Sequence, residues 1–260
     1  VAGPAAAGYR LVIAYDGTRY HGWQAQPQVA TVEGELSRAL AELTQERPVI
    51  SAAGRTDAGA HAHGQVVSFS LSSEWSAEAL KGGCNARLPE DIGVLEAAMV
   101  GVDFHARWQA WRRTYRYLFR ESAAPAPVGR QYEWRLSGPL ELAPMEQAAR
   151  LLVGSHDFGA FGRSPRVGGS TVRTVDRAEL AWSAGRITLE VRADAFLRGM
   201  MRNFAGALVA VGRGRARVAD LAQALAGAEL YHAPWPMAPA HGLHQWQVEY
   251  RPLEKERLAA

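Results

Sequence analysis

Cysteine occurs once in the 260 residues, as Cys84. A single thiol closes no internal disulfide and builds no thiolate metal cage, which excludes disulfide-stapled secreted scaffolds and zinc ribbons. Lysine is nearly as scarce: of 29 cationic side chains, two are Lys and 27 are Arg. No apolar run approaches the roughly 20 residues that a bilayer span requires. The opening VAGPAAAGYR has no charged stretch leading into an apolar one, so no signal peptide is expected. A reducing, cytoplasmic setting is the expectation that these absences share. No low-complexity segment and no short-period repeat interrupts the chain. What remains is a globular balance of 48% apolar and 21% charged residues, enough to bury a core as one large domain or two modest ones.

The charge is unevenly placed. Residues 1–106 carry 7 basic and 12 acidic side chains, residues 107–217 carry 19 arginines and 9 acids, and residues 218–260 carry 3 basic and 5 acidic side chains. The net charges are −5, +10 and −2, giving +3 for the chain. A GC-rich coding sequence accounts for Arg in place of Lys but not for this asymmetry. An arginine-rich middle segment points to a polyanion, with RNA or DNA the first candidate.

Strand-like and helix-like stretches alternate. Tyr9–Tyr15, Arg47–Ala53, Val66–Leu71 and Ile92–Val100 read as strands. Thr31 caps a helix whose Val32, Leu36, Leu40 and Leu43 recur at helical spacing, and Ala77–Asn85 is a second helix. Asp16–Ala30 and Gly54–Gly64 are polar loops. Further on, Trp111–Phe119 reads as a strand with arginines beside aromatics. Leu142–Val153, Phe196–Val211 and Val218–Ala226 read as helices, and Ser122–Gly129 as a loop. Thr171–Trp182 and Arg186–Ala193 form a hairpin turned at Ala184-Gly185, and Gly242–Tyr250 is a last strand. Two α+β halves result, residues 1–106 and 107–260.

The densest polar cluster is Gly54-Arg55-Thr56-Asp57-Ala58-Gly59-Ala60-His61-Ala62-His63-Gly64. Its glycines permit tight turns and close approach to a ligand. Asp57 alone would be an ordinary turn residue. His61 and His63 at i, i+2 would share one face of a strand, and with Asp57 they suggest a metal-dependent hydrolase as one reading. Arg112, Arg113 and Arg116 interleave with Trp111, Tyr115 and Tyr117, charge for phosphate and rings for bases, as an RNA surface requires. A catalytically silent RNA-binding module is therefore another reading.

The run AGRTDAGAHAHGQVV resembles the signature loop of the TruA family of tRNA pseudouridine synthases. Tyr15–Gln24 (YDGTRYHGWQ), Thr31–Leu36, Asn85–Ile92 and Phe104–Arg107 resemble that family's further motifs. So do Arg113–Tyr117 (RTYRY), Gly154–Phe158, Phe196–Asn203 (FLRGMMRN) and Pro239–Leu243 (PAHGL). They run in family order over about residues 9–250. The chain departs at Ala60, where the family has a bulky aliphatic residue, and at Gly199, where His is common. It also has no cysteine in Ser164–Gly169.

The resemblance implies an isomerase (an intramolecular transferase) that converts uridine to pseudouridine at positions 38–40 of the tRNA anticodon stem-loop, without cofactor or metal. It implies two ferredoxin-like, RRM-like halves with mainly antiparallel sheets flanking a central basic cleft, and a homodimer. Asp57 would be the catalytic carboxylate. Tyr115 would stack on the flipped base, Arg202 would pair with Asp57, Leu243 would line the pocket and Arg55 would face the RNA backbone. The chemistry agrees. An ionised carboxylate serves as nucleophile or base, and an adjacent guanidinium favours the charged form. Stacking on an aromatic platform offsets part of the cost of extruding a base.

Overall fold

The computed structural model describes residues 6–125, 127–226 and 235–251. The chain forms two compact units: Val1–Trp111 with Gln245–Ala260, and Arg112–His244. A division of the sequence after residue 106 thus differs by five residues at the boundary. It also differs in that the described residues from Gln245 onward return to the first unit.

Unit 1 runs β1 (Ala7–Tyr15), a 3₁₀ turn (Gly17–Arg19), α1 (Val32–Thr44), β2 (Ser51–Ala52), β3 (His61–Leu71), α2 (Ala77–Asn85) and β4 (Ile92–Val100). β1 lies between β3 and β4, antiparallel to both. β2 pairs with β3 through Ser51↔Ser68 and Ala52↔Val67. Alternation sends Tyr9, Leu11 and Ile13 of β1 to one side of the sheet, beside Val67, Phe69 and Leu71 of β3. Val32, Leu36, Ala39 and Leu40 of α1 and Leu80 and Cys84 of α2 close over them. Burial pushes the Cys84 thiol up to about 11, with Arg87 opposing, so it packs as a small hydrophobe.

The helices begin where capping chemistry starts them. Thr31 Oγ1 accepts from Gly34 N–H at 3.3 Å and Ser76 Oγ accepts from Ala79 N–H at 3.2 Å. α1 ends at Gln45, in the left-handed conformation (φ 61°). β2 is shorter than Arg47–Ala53 because Pro48 offers no N–H to a ladder and Val49 stands exposed. β3 starts at His61, five residues earlier than its apolar alternation begins.

Unit 2 runs β5 (Ala110–Glu121), β6 (Trp134–Leu136), α3 (Leu142–Leu151), β7 (Gly154–Asp157), β8 (Val172–Ser183), β9 (Arg186–Ala193), α4 (Met200–Gly212) and α5 (Val218–Leu225). β10 (Leu243–Tyr250) then carries the chain back to unit 1. The antiparallel order is β5-β9-β8-β7, with β6 parallel to β5. α4 is apolar on nearly every side and correspondingly buried, against α3 and the rings of Phe158 and Phe161. It starts at Met200 rather than Phe196. Gly199 takes φ 80° at its N-cap, and Arg198 bridges to Arg163 instead of entering the helix. The left-handed φ accounts for glycine at this departure from the family pattern. β6 and β7 have no counterpart in the periodicity. Among the described residues no helix is long and apolar enough to cross a membrane.

Along β5, Tyr115, Tyr117 and Phe119 turn inward while Arg112, Arg116 and Arg120 alternate with them on the other side. These arginines meet carboxylates. Arg112 forks onto Asp176, which also holds Arg192. Arg116 Nε donates to Glu190 at 2.7 Å, and Arg120 forks onto Glu133.

Two expectations follow. The β8–β9 turn places Ala184 at φ 48° and Gly185 at φ 74°, the type I′ geometry that favours Asn-Gly. Ala184→Asn is expected to stabilise the protein by about 1 kcal/mol, the scale of the left-handed penalty for alanine, and to raise the melting temperature by about 2–4 °C; calorimetry checks it. Burial works against ionising Glu133, but Arg120 and Arg186 outweigh it and lower its pKa. That contribution is present above the ordinary carboxylate pKa and is lost as pH falls through the lowered one. Glu133→Gln is expected to reduce stability at pH 7 and to flatten its decline below about pH 4, the ordinary glutamate range, in denaturant titrations across pH.

Candidate active site

The loop carrying Asp57 has no regular structure, so its backbone groups must be satisfied individually. Its base is clamped by the buried amide of Gln65, which donates to Gly54 O at 2.7 Å and accepts from Gly54 N–H at 3.3 Å. Gln245 donates to the same Gln65 oxygen at 3.0 Å. Ala53 N–H donates to Val66 O at 2.8 Å. Thr56 is buried, and its hydroxyl lies 2.8 Å from the Tyr15 hydroxyl. Asp57 then opens a tight turn: Ala60 N–H donates to Asp57 O at 3.1 Å, and Gly59 takes φ 79° at the third position.

The 15–24 stretch holds this turn from outside. Gly59 N–H donates to Tyr20 O at 3.2 Å and Trp23 N–H donates to Thr56 O at 3.1 Å. The two backbones touch. A Cβ on Gly17 would lie 1.9 Å from Ala60 O, and one on Gly22 (φ 89°) would lie 2.7 Å from Thr56 O. Gly17 N–H donates to Nδ1 of the buried His61 at 3.1 Å. The 85–92 stretch anchors the other side: Arg19 Nε and the Tyr20 hydroxyl donate to Asp91 at 2.8 and 2.5 Å. Burial, and then the bond to Asp91, push the Tyr20 phenol up to about 12, so it stays a donor. The same loop satisfies the start of α1, whose Val32 and Glu33 N–H groups donate to Gly22 O and Trp23 O.

Asp57 is thus half-buried on a clamped turn, and Arg55 stands exposed beside it. His61 and His63 do not act as a pair. The first faces Gly17, and the second is exposed and lies 4.3 Å from the Trp246 ring. Among the described residues no group of three or more His, Cys, Asp or Glu side chains could hold a metal ion.

In unit 2, Tyr115 pairs with Val191 and meets the Phe196 ring edge-on at 4.7 Å. Arg202 lies in the first turn of α4. Its Nε donates to Ala238 O at 2.7 Å, and Ala238 N–H donates back to Arg202 O at 3.1 Å. The Tyr117 hydroxyl donates to Pro239 O at 2.6 Å, and a Cβ on Gly242 would meet the Tyr117 ring at 2.7 Å. Strand, helix and the turn before the buried Leu243 are therefore joined within this unit. Arg113 donates to Asp194 O at 2.6 Å, so each of Arg112, Arg113 and Arg116 has a partner in its own unit. Tyr15, Thr56, Gln65 and Asp91 were not singled out from the sequence as site-building residues. The Tyr-Asp and Glu-Asp motif positions of Tyr15 and Asp91 were the signal available.

A family model described as tRNA pseudouridine synthase matches residues 11–109 and 148–251. The chain belongs to this family, whose members are isomerases. Relatives match over nearly their whole length. The tRNA pseudouridine synthase A of Moorella thermoacetica is 41% identical over 243 residues, 93% of this chain and 98% of the relative. That of Chloroflexus aurantiacus is 42% identical over 93% of this chain and 88% of the relative. That of Neisseria meningitidis is 39% identical over 93% and 91%.

Gly17→Ala forces apart two backbones that cannot yield as a side chain can. It is expected to lower turnover by about 10²-fold, the scale of a 1 Å misplacement of a reacting group. Gly82→Ala, in open space on α2, is expected to leave turnover unchanged. Steady-state rates on tRNA for the two variants check this.

Proposed function

We propose that this chain isomerises uridine to pseudouridine at positions 38–40 of the tRNA anticodon stem-loop, with Asp57 as its catalytic carboxylate and no cofactor. One observation carries the reading: Asp57 opens a tight turn that another family-like motif of the same unit, Tyr15–Gln24, grips through backbone contacts. An ordinary turn aspartate needs no such support.

The reaction balances without an added reagent. The bond from C1′ to N1 breaks, the uracil turns, and a bond from C1′ to C5 forms. The C5 proton leaves and N1 gains one. One carboxylate meets these needs by attacking the base, attacking the sugar or removing a sugar proton. Tyr115 is assigned to stack on the extruded base, Arg202 to the charged form of Asp57, Leu243 to the pocket wall and Arg55 to the RNA backbone. Arg112, Arg113 and Arg116 are assigned to RNA, whose phosphates would compete with Asp176 and Glu190 for two of them. Ferredoxin-like halves and a homodimer belong to the same reading. The β-α-β-β-α-β order of unit 1, with β1 between β3 and β4, supports the former.

The test uses tRNA tritiated at uridine C5, incubated with protein and chelator and no other small molecule. Tritium is expected in the water, and Asp57→Asn is expected to bind tRNA while reducing release to background. Normal release by the variant would overturn the role of Asp57. Tight tRNA binding without release by the native chain would leave a silent RNA-binding module.

A further inference from the structure

The β5–β9 register sets Arg120 directly opposite Arg186, and the β9–β8 register sets Arg186 opposite Ser183. Two like charges face each other on one side of the sheet, an arrangement that by itself destabilises. Glu133 offsets it. Its buried carboxylate accepts from Nε and Nη2 of Arg120 and, at 3.0 Å, from Nε of Arg186. Three charged groups sum to +1 and are locked in orientation. Arg186 remains 55% exposed in its side chain, while Glu133 is 6% exposed.

The two arginines line a cavity of about 300 Å³, shared with Thr188, Ala181, Trp182, Ser183 and Ala184. Thr188 lies opposite Ala181, so the cavity floor is two successive cross-strand rows. Two hydroxyls, of Ser183 and Thr188, can donate there, whereas Trp182 pairs with Ile187 and so alternates onto the opposite face of the sheet. Oriented guanidiniums with hydroxyls match a phosphate diester.

We propose that the Arg120–Arg186 row is a phosphate-binding subsite for the RNA backbone, held in place by Glu133 and separate from the Asp57 turn. The inference rests on the reading of the chain as a tRNA-modifying enzyme. Arg186 is the residue to change, because Arg120 carries two of the bonds that keep Glu133 satisfied.

The experiment measures affinity for a full tRNA transcript and for an isolated anticodon stem-loop hairpin between about 50 and 200 mM salt. Arg186→Gln is expected to weaken tRNA binding severalfold and to reduce the slope of log affinity against log salt by about one, the signature of one lost phosphate contact. Arg186→Lys is expected to restore the slope. Arg150→Gln, which removes the same charge from the exposed face of α3, is expected to leave it unchanged. Loss on both RNAs supports a contact inside the stem-loop, and loss on tRNA alone supports one beyond it. An unchanged slope for Arg186→Gln while the native chain converts tRNA overturns this inference alone, as does an equal loss for Arg150→Gln. A native chain that neither binds nor converts tRNA overturns the isomerase reading and this subsite together.

Discussion

Contact between two backbones governs the unit that carries Asp57. Gly17 lies against the carbonyl of Ala60 and Gly22 against that of Thr56, closer than any side chain permits. A loop is expensive to order, at about 1–2 kcal/mol of backbone entropy per residue, and glycine is the costliest residue to fix. The stretch 15–24 nevertheless places glycine at both points of approach. The return is that the Asp57 turn is located by main-chain atoms, with Trp23, Tyr20 and Thr56 completing the hydrogen bonds. Main-chain contacts of this kind do not depend on rotamers, and the buried Gln65 amide adds a side-chain clamp at the base of the loop.

Much of this was legible from the sequence and some was not, for physical reasons. Helices with a polar cap and apolar spacing were read closely: Thr31 and Ser76 stand where α1 and α2 begin. β6 was invisible because three residues carry no periodicity, and β7, Gly-Ser-His-Asp, has no apolar face to betray it. The start of β3 was concealed by its composition. His61, Ala62 and Gly64 look like loop, yet they are buried between β1 and the last strand, where Gly64 would meet Trp246 O if it carried a Cβ. The late start of α4 turns on one dihedral at Gly199, which apolar spacing does not encode.

The arginines show a different limit. Counting charges along the chain finds a basic middle segment but cannot find counter-ions that arrive across strands. Asp176, Glu190 and Glu133 each hold two arginines, most of them distant in sequence. Partly exposed pairs of this kind add little stability individually. Their stronger effect is on orientation, since a guanidinium forked onto a carboxylate has a fixed plane. A surface of this type attracts a polyanion through its net charge and selects its path through the geometry of the remaining N–H groups.

The same logic extends to Arg202. Its Nε bond to Ala238 O ties the guanidinium to main chain, and the Ala238 N–H bond to Arg202 O ties the two backbones together. Tyr117 adds its bond to Pro239 O. Burial raises the phenol's pKa, against the nearby Arg202 charge, so the donor does not titrate near neutrality. The main-chain groups that hold the Asp57 turn and Arg202 do not titrate. Sensitivity to substitution should therefore concentrate in glycines and small polar residues, Gly17, Gly22, Gly242 and Gln65, whose side chains do no chemistry.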